Sequence, residues 1–323
     1  MDPLSDVLSL LKPRNYMSAG FEAGGPWSIQ FPDQQKSIKC GAVVSGQCWL
    51  SVEGVPDALR LDTGDCFLLP SGRPFRIATD MALTPVQAAE VFSPARGGGI
   101  VRYNGGGDFF FVSSRFALAG NHADLLLQML PPIVHIRSEA EQVALRWSVE
   151  RMMQELRAEQ PGGFLIIQHL AHMILVQALR LHLAEAKGGV GWLFALADKH
   201  MGAAITAMHA DPAHRWTLQE LAQRAGMSRS VFAEKFKETV GKTPMEYLTR
   251  WRMLLGGDRL THSSDPISTI ALSLGYESES AFSTAFKKVM GCSPRQYSRG
   301  QQTASSSQGA PRPAPEQLEA VAD

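Results

Sequence analysis

One sequence pattern occurs twice in the last third of this chain, over residues 216–247 and again over residues 266–297. Ten positions match in register, at an offset of 49 residues in the first part of the pattern and 50 in the second. The matching pairs are Leu218/Ile267, Leu221/Ile270, Ala222/Ala271, Gly226/Gly275, Phe232/Phe282, Phe236/Phe286, Lys237/Lys287, Gly241/Gly291, Pro244/Pro294 and Tyr247/Tyr297. Such an internal repeat is typical of a duplicated structural unit.

Each copy predicts a short amphipathic helix, a sharp turn and a second helix. Gly226 and Gly275 lie where the turn requires a positive φ, which glycine adopts without a steric penalty. Ser228 and Ser278 follow as N-caps of the second helices. Two phenylalanines, four residues apart in each second helix, face one way into a small core. The pattern therefore predicts two helix-turn-helix units.

The second helix of such a unit enters the DNA major groove with its N-terminal end first. Residues on its exposed face are therefore predicted to contact DNA. They are Ser228, Arg229, Ser230, Ala233 and Lys237 in the first copy, and Ser278, Glu279, Ser280, Ser283, Thr284 and Lys287 in the second. Arg229 is suited to guanine, Glu279 to the amino group of cytosine, and Lys237 to phosphate. The alternative interpretation is a helical bundle that binds no DNA.

The segment between the copies, Tyr247 to Leu260, predicts one stiff helix of roughly 14 residues, about 21 Å long. Consecutive major grooves on one face of B-DNA lie about 34 Å apart, and a rigid connection suits two recognition helices at that separation. Gly256 and Gly257 weaken this helix. Arg250 and Arg252 are predicted either to contact phosphates or to be solvated surface residues.

Charge is distributed unevenly although the chain as a whole is neutral. Residues 216–300 contain 12 Lys and Arg against 8 Asp and Glu, a net charge of +4, whereas the rest has 19 against 23, a net charge of −4. The positive excess thus coincides with the predicted recognition helices, as neutralisation of DNA phosphates requires.

These residues carry a family resemblance. The segment from about 190 to 299 resembles the DNA-binding domain of AraC/XylS-type bacterial transcription regulators, and the string from Gly275 to Tyr297 matches that family's signature nearly throughout. The resemblance implies a protein that binds promoter DNA and usually activates transcription through RNA polymerase. Proteins of this family often dimerise through the region before this domain, which favours a homodimer.

The N-terminal part predicts a β-barrel or jelly roll. Short apolar runs alternate with turn residues every 8–12 positions, which is typical of such folds. The predicted strands cover residues 38–44, 47–53, 59–69, 100–103 and 108–112. The string Gly64 to Pro70 resembles the cupin-like sensor domains attached to many AraC-type proteins. We therefore expect an α+β multidomain chain, with a cupin-like barrel and trailing helices before an all-α domain with two helix-turn-helix units.

A metal-dependent cupin enzyme is the main alternative for this barrel. Such an enzyme would need histidine ligands, but the sequence has no histidine before His122, and Gly41 and Phe75-Arg76 stand where the ligands would be. We therefore expect no metal, no cofactor and no enzymatic activity. The barrel is instead predicted to be a sensor for a small-molecule effector, or a scaffold that has lost this role.

Two sets of barrel residues are sensor candidates. Arg73 and Arg76 either provide a counter-charge for an anionic ligand or are solvated loop residues. Cys40, Cys48 and Cys66 either respond to oxidants or are packed in the core as small apolar residues. Cys40 and Cys48 are an even number of residues apart, which favours one shared sheet face.

The predicted domains are the barrel over residues 1–137, a helical dimerisation or relay segment over 138–190, the DNA-binding domain over 191–300 and a disordered tail over 301–323. In the middle segment, Ser138 to Glu141 form a capping box that opens a helix to about Glu159, and a second helix runs from Phe164 to Lys187. Its apolar stripe at Ile166, Leu170, Met173/Ile174 and Leu181 predicts either internal core or a dimer interface.

Several features favour a cytoplasmic protein with no membrane span. The N-terminus has early acidic residues and no signal-peptide cleavage site. The longest apolar stretch, Phe164 to Leu183, is interrupted by six polar residues. Four cysteines without paired spacing suit a reducing compartment. The sequence thus predicts a transcription regulator that is controlled by its N-terminal barrel through a small-molecule or redox signal.

Overall fold

A computed structural model of the chain describes residues 2–34, 37–92, 99–118, 130–137, 143–185 and 191–299. The predicted capping box at 138–141, most of the hinge at 186–190 and the tail from 301 lie outside the described residues.

The helices and strands have the following bounds. The helices are α1 (Pro3–Leu11), α2 (Ala88–Val91), α3 (Val143–Ala158), α4 (Gly163–Glu185), α5 (Trp192–Ala197), α6 (Lys199–Ala210), α7 (Leu218–Arg224), α8 (Arg229–Val240), α9 (Pro244–His262), α10 (Ile267–Ser273) and α11 (Glu279–Met290). The strands are β1 (Arg14–Ala23), β2 (Ser28–Phe31), β3 (Ile38–Ser45), β4 (Gln47–Val52), β5 (Leu59–Asp62), β6 (Cys66–Leu69), β7 (Phe75–Ala78), β8 (Val86–Gln87), β9 (Gly99–Tyr103), β10 (Phe109–Ala117) and β11 (Val134–Ile136).

The strands form two sheets around one apolar core. One sheet has the order β11-β6-β3-β10-β1-β9 and the other the order β5-β4-β7-β2-β8. Aromatic rings dominate the core between them: Phe31 stacks on Phe75 with ring centroids 4.4 Å apart, and Trp27 lies 4.7 Å from Phe109. The predicted β-rich N-terminal domain is therefore confirmed, and its centre is filled with side chains.

The run from Leu59 to Leu69, predicted as one strand, is two strands in different sheets. The chain turns at Gly64, whose φ is +90°, so that β5 pairs with β4 whereas β6 pairs with β3. A positive φ is accessible to glycine at little steric cost, and a continuous strand would need extended backbone there. The apolar runs on both sides of this turn hid the break from a pattern-based prediction.

Helices α3 and α4 form a hairpin against the barrel. Ser114 of β10 donates to the Met152 sulfur of α3 at 3.9 Å, and Gln168 of α4 donates to the Asn15 carbonyl of β1 at 3.2 Å. The stretch Gly163–Ala184 is the one candidate membrane span among the described residues by length and hydropathy, with a mean hydropathy of 1.5. Its packing on the barrel is also typical of a core helix in a globular protein.

The C-terminal third is helical, as predicted, but its first helix is interrupted. The apolar residues over Trp192–Met208 predict one continuous helix, whereas α5 ends at Ala197 and α6 begins at Lys199. Asp198 between them has extended backbone, and its carboxylate accepts from the backbone N–H groups of His200 and Met201. An N-cap aspartate satisfies otherwise unpaired donors, and this explains the break.

The chain divides into two compact units. The larger contains residues 1–211 and 215–248, hence the barrel together with the first helix-turn-helix copy, and the smaller contains residues 212–214 and 249–323.

The two glycines of α9 have a packing role in the smaller unit. A Cβ atom at Gly256 would lie 2.9 Å from the Phe282 ring, and one at Gly257 would lie 3.3 Å from the Tyr297 hydroxyl. The sequence identified these glycines only as a weakness of the connecting helix. Their function is to let α9 approach the aromatic core of the second copy closely, and this offsets their low helix propensity.

Candidate nucleic-acid interface

The first copy forms a helix-turn-helix between α7 and α8. Thr217 and Glu220 make a reciprocal capping box at the start of α7. Gly226 then adopts a φ of +64°, and the Met227 N–H donates to the Ala222 carbonyl at 2.9 Å. Ser228 caps α8 by accepting from the Val231 N–H at 3.4 Å. The predicted left-handed turn and serine cap are both confirmed.

The second copy repeats this geometry between α10 and α11. Gly275 has a φ of +79°, and the Tyr276 N–H donates to the Ala271 carbonyl at 3.0 Å. A Cβ atom at Gly275 would lie 2.2 Å from the Ala213 carbonyl oxygen, so this turn has no room for a side chain. Ser278 caps α11 by accepting from the Ala281 N–H at 3.2 Å.

Paired aromatic residues hold each second helix in place. Phe232 and Phe236 of α8 are fully buried with ring centroids 5.5 Å apart, and Phe282 and Phe286 of α11 are fully buried with a spacing of 5.4 Å. In each copy the tyrosine at the end of the pattern packs edge-on against the second phenylalanine. Since one face of each helix is committed to this core, the opposite face is exposed.

Most of the predicted contact residues lie on that exposed face. Exposed residues are Ser228, Arg229, Ser230 and Lys237 in the first copy and Ser278, Ser280, Thr284 and Lys287 in the second, whereas Ala233, Glu279 and Ser283 are half-buried. The Glu279 carboxylate lies 3.8 Å from Arg295, and the Thr284 hydroxyl donates to the Ser280 carbonyl at 3.0 Å. The Glu279 carboxylate and the Thr284 hydroxyl of α11 thus both have partners within the protein.

The Arg252 guanidinium of α9 has partners inside the protein. It donates to the Pro212 carbonyl at 2.6 Å and the His214 carbonyl at 2.8 Å, and it lies over the Tyr276 ring at 5.7 Å. These contacts tie the 212–214 segment to the second copy. Arg250, two residues earlier, is half-buried.

Val231 of α8 was not among the predicted contacts, although its side chain is 52% exposed. Glu234 and Glu238 of the same helix are also exposed. The helical spacing from Phe232 and Phe236 was the signal that could have placed Val231 outside the core.

In the barrel, aromatic rings surround Gly41, which stands where a metal-dependent cupin would have a histidine ligand. A Cβ atom at Gly41 would lie 2.4 Å from the Phe111 ring and 2.8 Å from the Phe67 ring, so a histidine does not fit there. Among the described residues no group of three His, Cys, Asp or Glu side chains is placed to hold a metal ion.

The two arginines suggested as sensor residues differ in environment. Arg76 of β7 donates to the Ser28 hydroxyl at 2.7 Å and also to the Leu83 carbonyl, so it links β2 and β7 to the 80–83 turn. Arg73 is exposed and donates to the Glu53 carbonyl at 3.4 Å.

The three barrel cysteines are buried, each no more than 3% exposed. Burial raises the pKa of the Cys40 and Cys48 thiols to about 12 and that of Cys66 well above its usual range. Cys40 and Cys48 do not share a sheet face as expected, because β3 and β4 belong to different sheets. Instead Cys40 and Cys66 lie on one face of β3 and β6, since Cys40 pairs with Leu68 and Ala42 with Cys66.

A buried polar chain links α1 to the first helix-turn-helix copy. The His209 side chain of α6 is buried, its Nδ1 lies 3.4 Å from an Asp6 carboxylate oxygen of α1, and its Nε2 lies 2.8 Å from the Tyr247 hydroxyl of α9. Burial lowers the pKa of His209 to about 3. A neutral imidazole has one donor and one acceptor nitrogen, so it suits a position between a carboxylate and a hydroxyl group.

Comparison with known proteins agrees with this architecture. The family described as Cupin matches residues 2–184, and that described as Helix-turn-helix domain matches residues 221–300. An AraC-like transcription regulator of Streptomyces antibioticus is 44% identical over 92% of this chain and 98% of that protein. The RCS-specific HTH-type transcriptional activator RclR of Escherichia coli K12 is 27% identical over 92% of this chain and 97% of that protein.

Among solved structures, the DNA-binding domain of the global transcriptional factor AdpA in complex with a target DNA is 25% identical, with a TM-score of 0.31. The match covers 33% of this chain and 96% of that one. The chain belongs to the AraC-like transcription regulators. It is a DNA-binding transcription regulator with an N-terminal cupin domain.

The burial of the barrel cysteines predicts their chemical reactivity. Iodoacetamide treatment of the native protein should label Cys292, which is half-buried, and leave Cys40, Cys48 and Cys66 unmodified, because a buried thiol with a raised pKa forms little thiolate. Mass spectrometry of tryptic peptides measures the labelling, and denatured protein, in which all four thiols react, is the control. Rapid native labelling of any barrel cysteine would restore the redox hypothesis.

The environment of His209 predicts a pH-dependent stability. The unfolded chain binds a proton at His209 near the ordinary pKa of 6.5, whereas the folded chain binds it only near pH 3. Protonation of the unfolded chain therefore lowers the free energy of unfolding as the pH falls below about 6.5. The loss is about 2 kcal/mol at pH 5.

Urea unfolding at pH 7 and pH 5 tests this expectation. The wild type should lose about 2 kcal/mol more between the two pH values than the variant His209→Gln, whereas the half-exposed control His262→Gln should behave like the wild type. Equal pH dependence of wild type and His209→Gln would show that His209 is protonated in the folded protein.

Proposed function

We propose that this regulator recognises two consecutive major-groove segments of promoter DNA, one with each helix-turn-helix copy. The observation that carries the proposal is the duplication itself: both copies have the same turn, the same serine cap and the same buried phenylalanine pair.

Selection of genomic fragments by the full-length protein, followed by footprinting, tests this proposal. Protection of two adjacent major grooves on one face of the DNA, with a recurring sequence, is the expected result. Protection of a single groove would contradict recognition by both copies, and absence of any recurring sequence would contradict specific recognition altogether.

Substitutions at two exposed residues of α8 separate sequence recognition from general affinity. Arg229→Ala should relax the preference at one base pair, at a cost of about 1–3 kcal/mol on the preferred sequence, since it removes a guanine contact. Lys237→Ala should weaken binding to all sequences alike and reduce the salt dependence, because it removes a phosphate contact.

Titration of preferred and scrambled duplexes measures both effects. Arg102→Ala, an exposed arginine of the barrel, is the matched control and should change neither affinity. Equal losses on every sequence from both α8 variants would overturn the assignment of roles.

We propose that the cupin domain controls DNA binding through a small-molecule signal rather than a redox signal. Burial of all three barrel thiols argues against the redox alternative. The contacts from Asp6 through His209 to Tyr247 support a coupling between the cupin domain and the recognition helix α8. Tyr247 packs on Phe236 of α8 with ring centroids 5.9 Å apart. A change in α1 would thereby reach a recognition helix. Unchanged DNA affinity in Asp6→Asn and Tyr247→Phe would contradict this route.

We propose that the regulator activates transcription with RNA polymerase and functions in the cytoplasm, where promoter DNA is found. The relative from Escherichia coli K12 is named a transcriptional activator, and this supports activation. Transcription from a promoter selected as above, measured with and without the protein, tests the sign of regulation: a decrease would identify a repressor.

We propose that the hairpin of α3 and α4 forms a homodimer interface. The predicted stripe on α4 is divided: Leu170 and Ile174 are buried, whereas Ile166 and Met173 are 41% and 42% exposed. Trp147 of α3 is 54% exposed on the same hairpin. Unburied aromatic and aliphatic side chains on two neighbouring helices are typical of an association surface.

Sedimentation equilibrium tests this interface. The wild type should sediment as a dimer and Trp147→Glu as a monomer, because a charge in an apolar interface is costly to bury. Trp49→Glu is the matched control, since Trp49 is 37% exposed on the barrel, and it should leave the dimer intact. A wild-type monomer at micromolar concentration would refute the proposal.

A further inference from the structure

The exposed face of α8 contains one apolar side chain. Five of its exposed residues are polar or charged, namely Arg229, Ser230, Glu234, Lys237 and Glu238, and the sixth is Val231. More than half of the Val231 side chain is accessible to solvent.

The fold does not require valine at this position. Valine has a lower helix propensity than alanine, because its branched side chain loses rotamer freedom in a helix. The backbone N–H of residue 231 donates to Ser228, a contact that any residue other than proline supplies. Lys235, four residues further along α8, forms an ion pair with Asp198 at 2.7 Å.

The direction of the Val231 side chain places it at the leading end of the helix. Residue 231 is the third residue of α8, and Cα–Cβ bonds in an α-helix tilt toward the N-terminus. The two methyl groups therefore cover the first turn, beside Ser230. The first turn is the part of a recognition helix that lies deepest in the major groove.

Thymine presents the one apolar group of the major groove, its 5-methyl group. We propose that Val231 recognises a thymine through contact of its isopropyl group with this methyl group. The inference rests on the proposed recognition of DNA by α8 and adds a base-selecting residue that the polar contacts do not include.

The second copy differs at the equivalent position, where the exposed Ala281 has a single methyl group. Two further exposed positions also differ: Glu234 and Glu238 of α8 correspond to Thr284 and Lys288 of α11. The two copies thus present different chemistry to DNA, so that one chain selects an asymmetric site. The thymine recognised by Val231 belongs to the half contacted by the first copy.

Replacement of thymine by uracil isolates this contact, because uracil lacks only the methyl group. The full-length protein is titrated against the duplex that it selects, with each thymine replaced by deoxyuridine one at a time. At one position in the half contacted by α8, wild-type affinity should fall about fourfold, the loss for one buried methyl group. Val231→Ala should bind the unmodified duplex about fourfold more weakly and be indifferent to that replacement.

Two control variants make the result specific. Val231→Ile keeps a branched apolar side chain and should retain the preference for thymine over uracil. Val143→Ala makes the same truncation at an exposed valine of α3 and should also retain it. Circular dichroism of Val231→Ala should match that of the wild type, since the side chain is outside the core.

The outcomes separate this inference from the proposed function. A wild type that selects a recurring sequence but tolerates uracil at every position overturns the thymine contact alone. A uracil effect that persists unchanged in Val231→Ala assigns the methyl contact to another residue and also overturns it. Failure of the full-length protein to select any sequence refutes specific recognition and, with it, this inference.

Discussion

The burial of one phenylalanine pair in each copy is the interaction on which the DNA-binding part of the structure depends. Side chains four residues apart lie on the same face of a helix, so burying both fixes the rotation of the helix about its own axis. Phe232 and Phe236 determine in this way which residues of α8 are exposed. Because the two rings pack against each other and Phe236 packs against Tyr247, the orientation is set by packing, which tolerates little displacement.

The barrel has the cupin architecture, with no room for a side chain at Gly41. At Gly41 the absence of a side chain admits the rings of Phe67 and Phe111, and aromatic residues occupy the space between the sheets. A histidine at this position would displace at least one ring from a close-packed core, at a cost typical of overpacking. The cysteines of the barrel are buried because cysteine packs as a small apolar residue in such a close-packed core.

Inside the larger unit, the polar side chains of Asp6, His209 and Tyr247 connect α1, α6 and α9. His209 is neutral because burial disfavours its charged form, and a neutral imidazole is both a donor and an acceptor. It is thereby suited to lie between the Asp6 carboxylate and the Tyr247 hydroxyl. Removing one member of such a buried chain leaves a polar group without its contact, which costs more than the contact contributes. The N-terminal helix and the core of the first helix-turn-helix copy are thus energetically linked through one side chain.

The sequence by itself determined the duplicated helix-turn-helix units, because a glycine turn, a serine cap and phenylalanines at helical spacing are local requirements. It also predicted the β-rich N-terminal domain, and most of the exposed polar face of both recognition helices. It did not locate the turn at Gly64 or the break at Asp198, because apolar residues on both sides of each conceal a local change of backbone conformation. The carbonyl contacts of Arg252, the packing role of Gly256 and the link from Asp6 to His209 depend on partners distant in the chain, so tertiary structure decided them. Local patterns specify helices, turns and caps, whereas burial is a property of the assembled core and is known only when the elements are packed together.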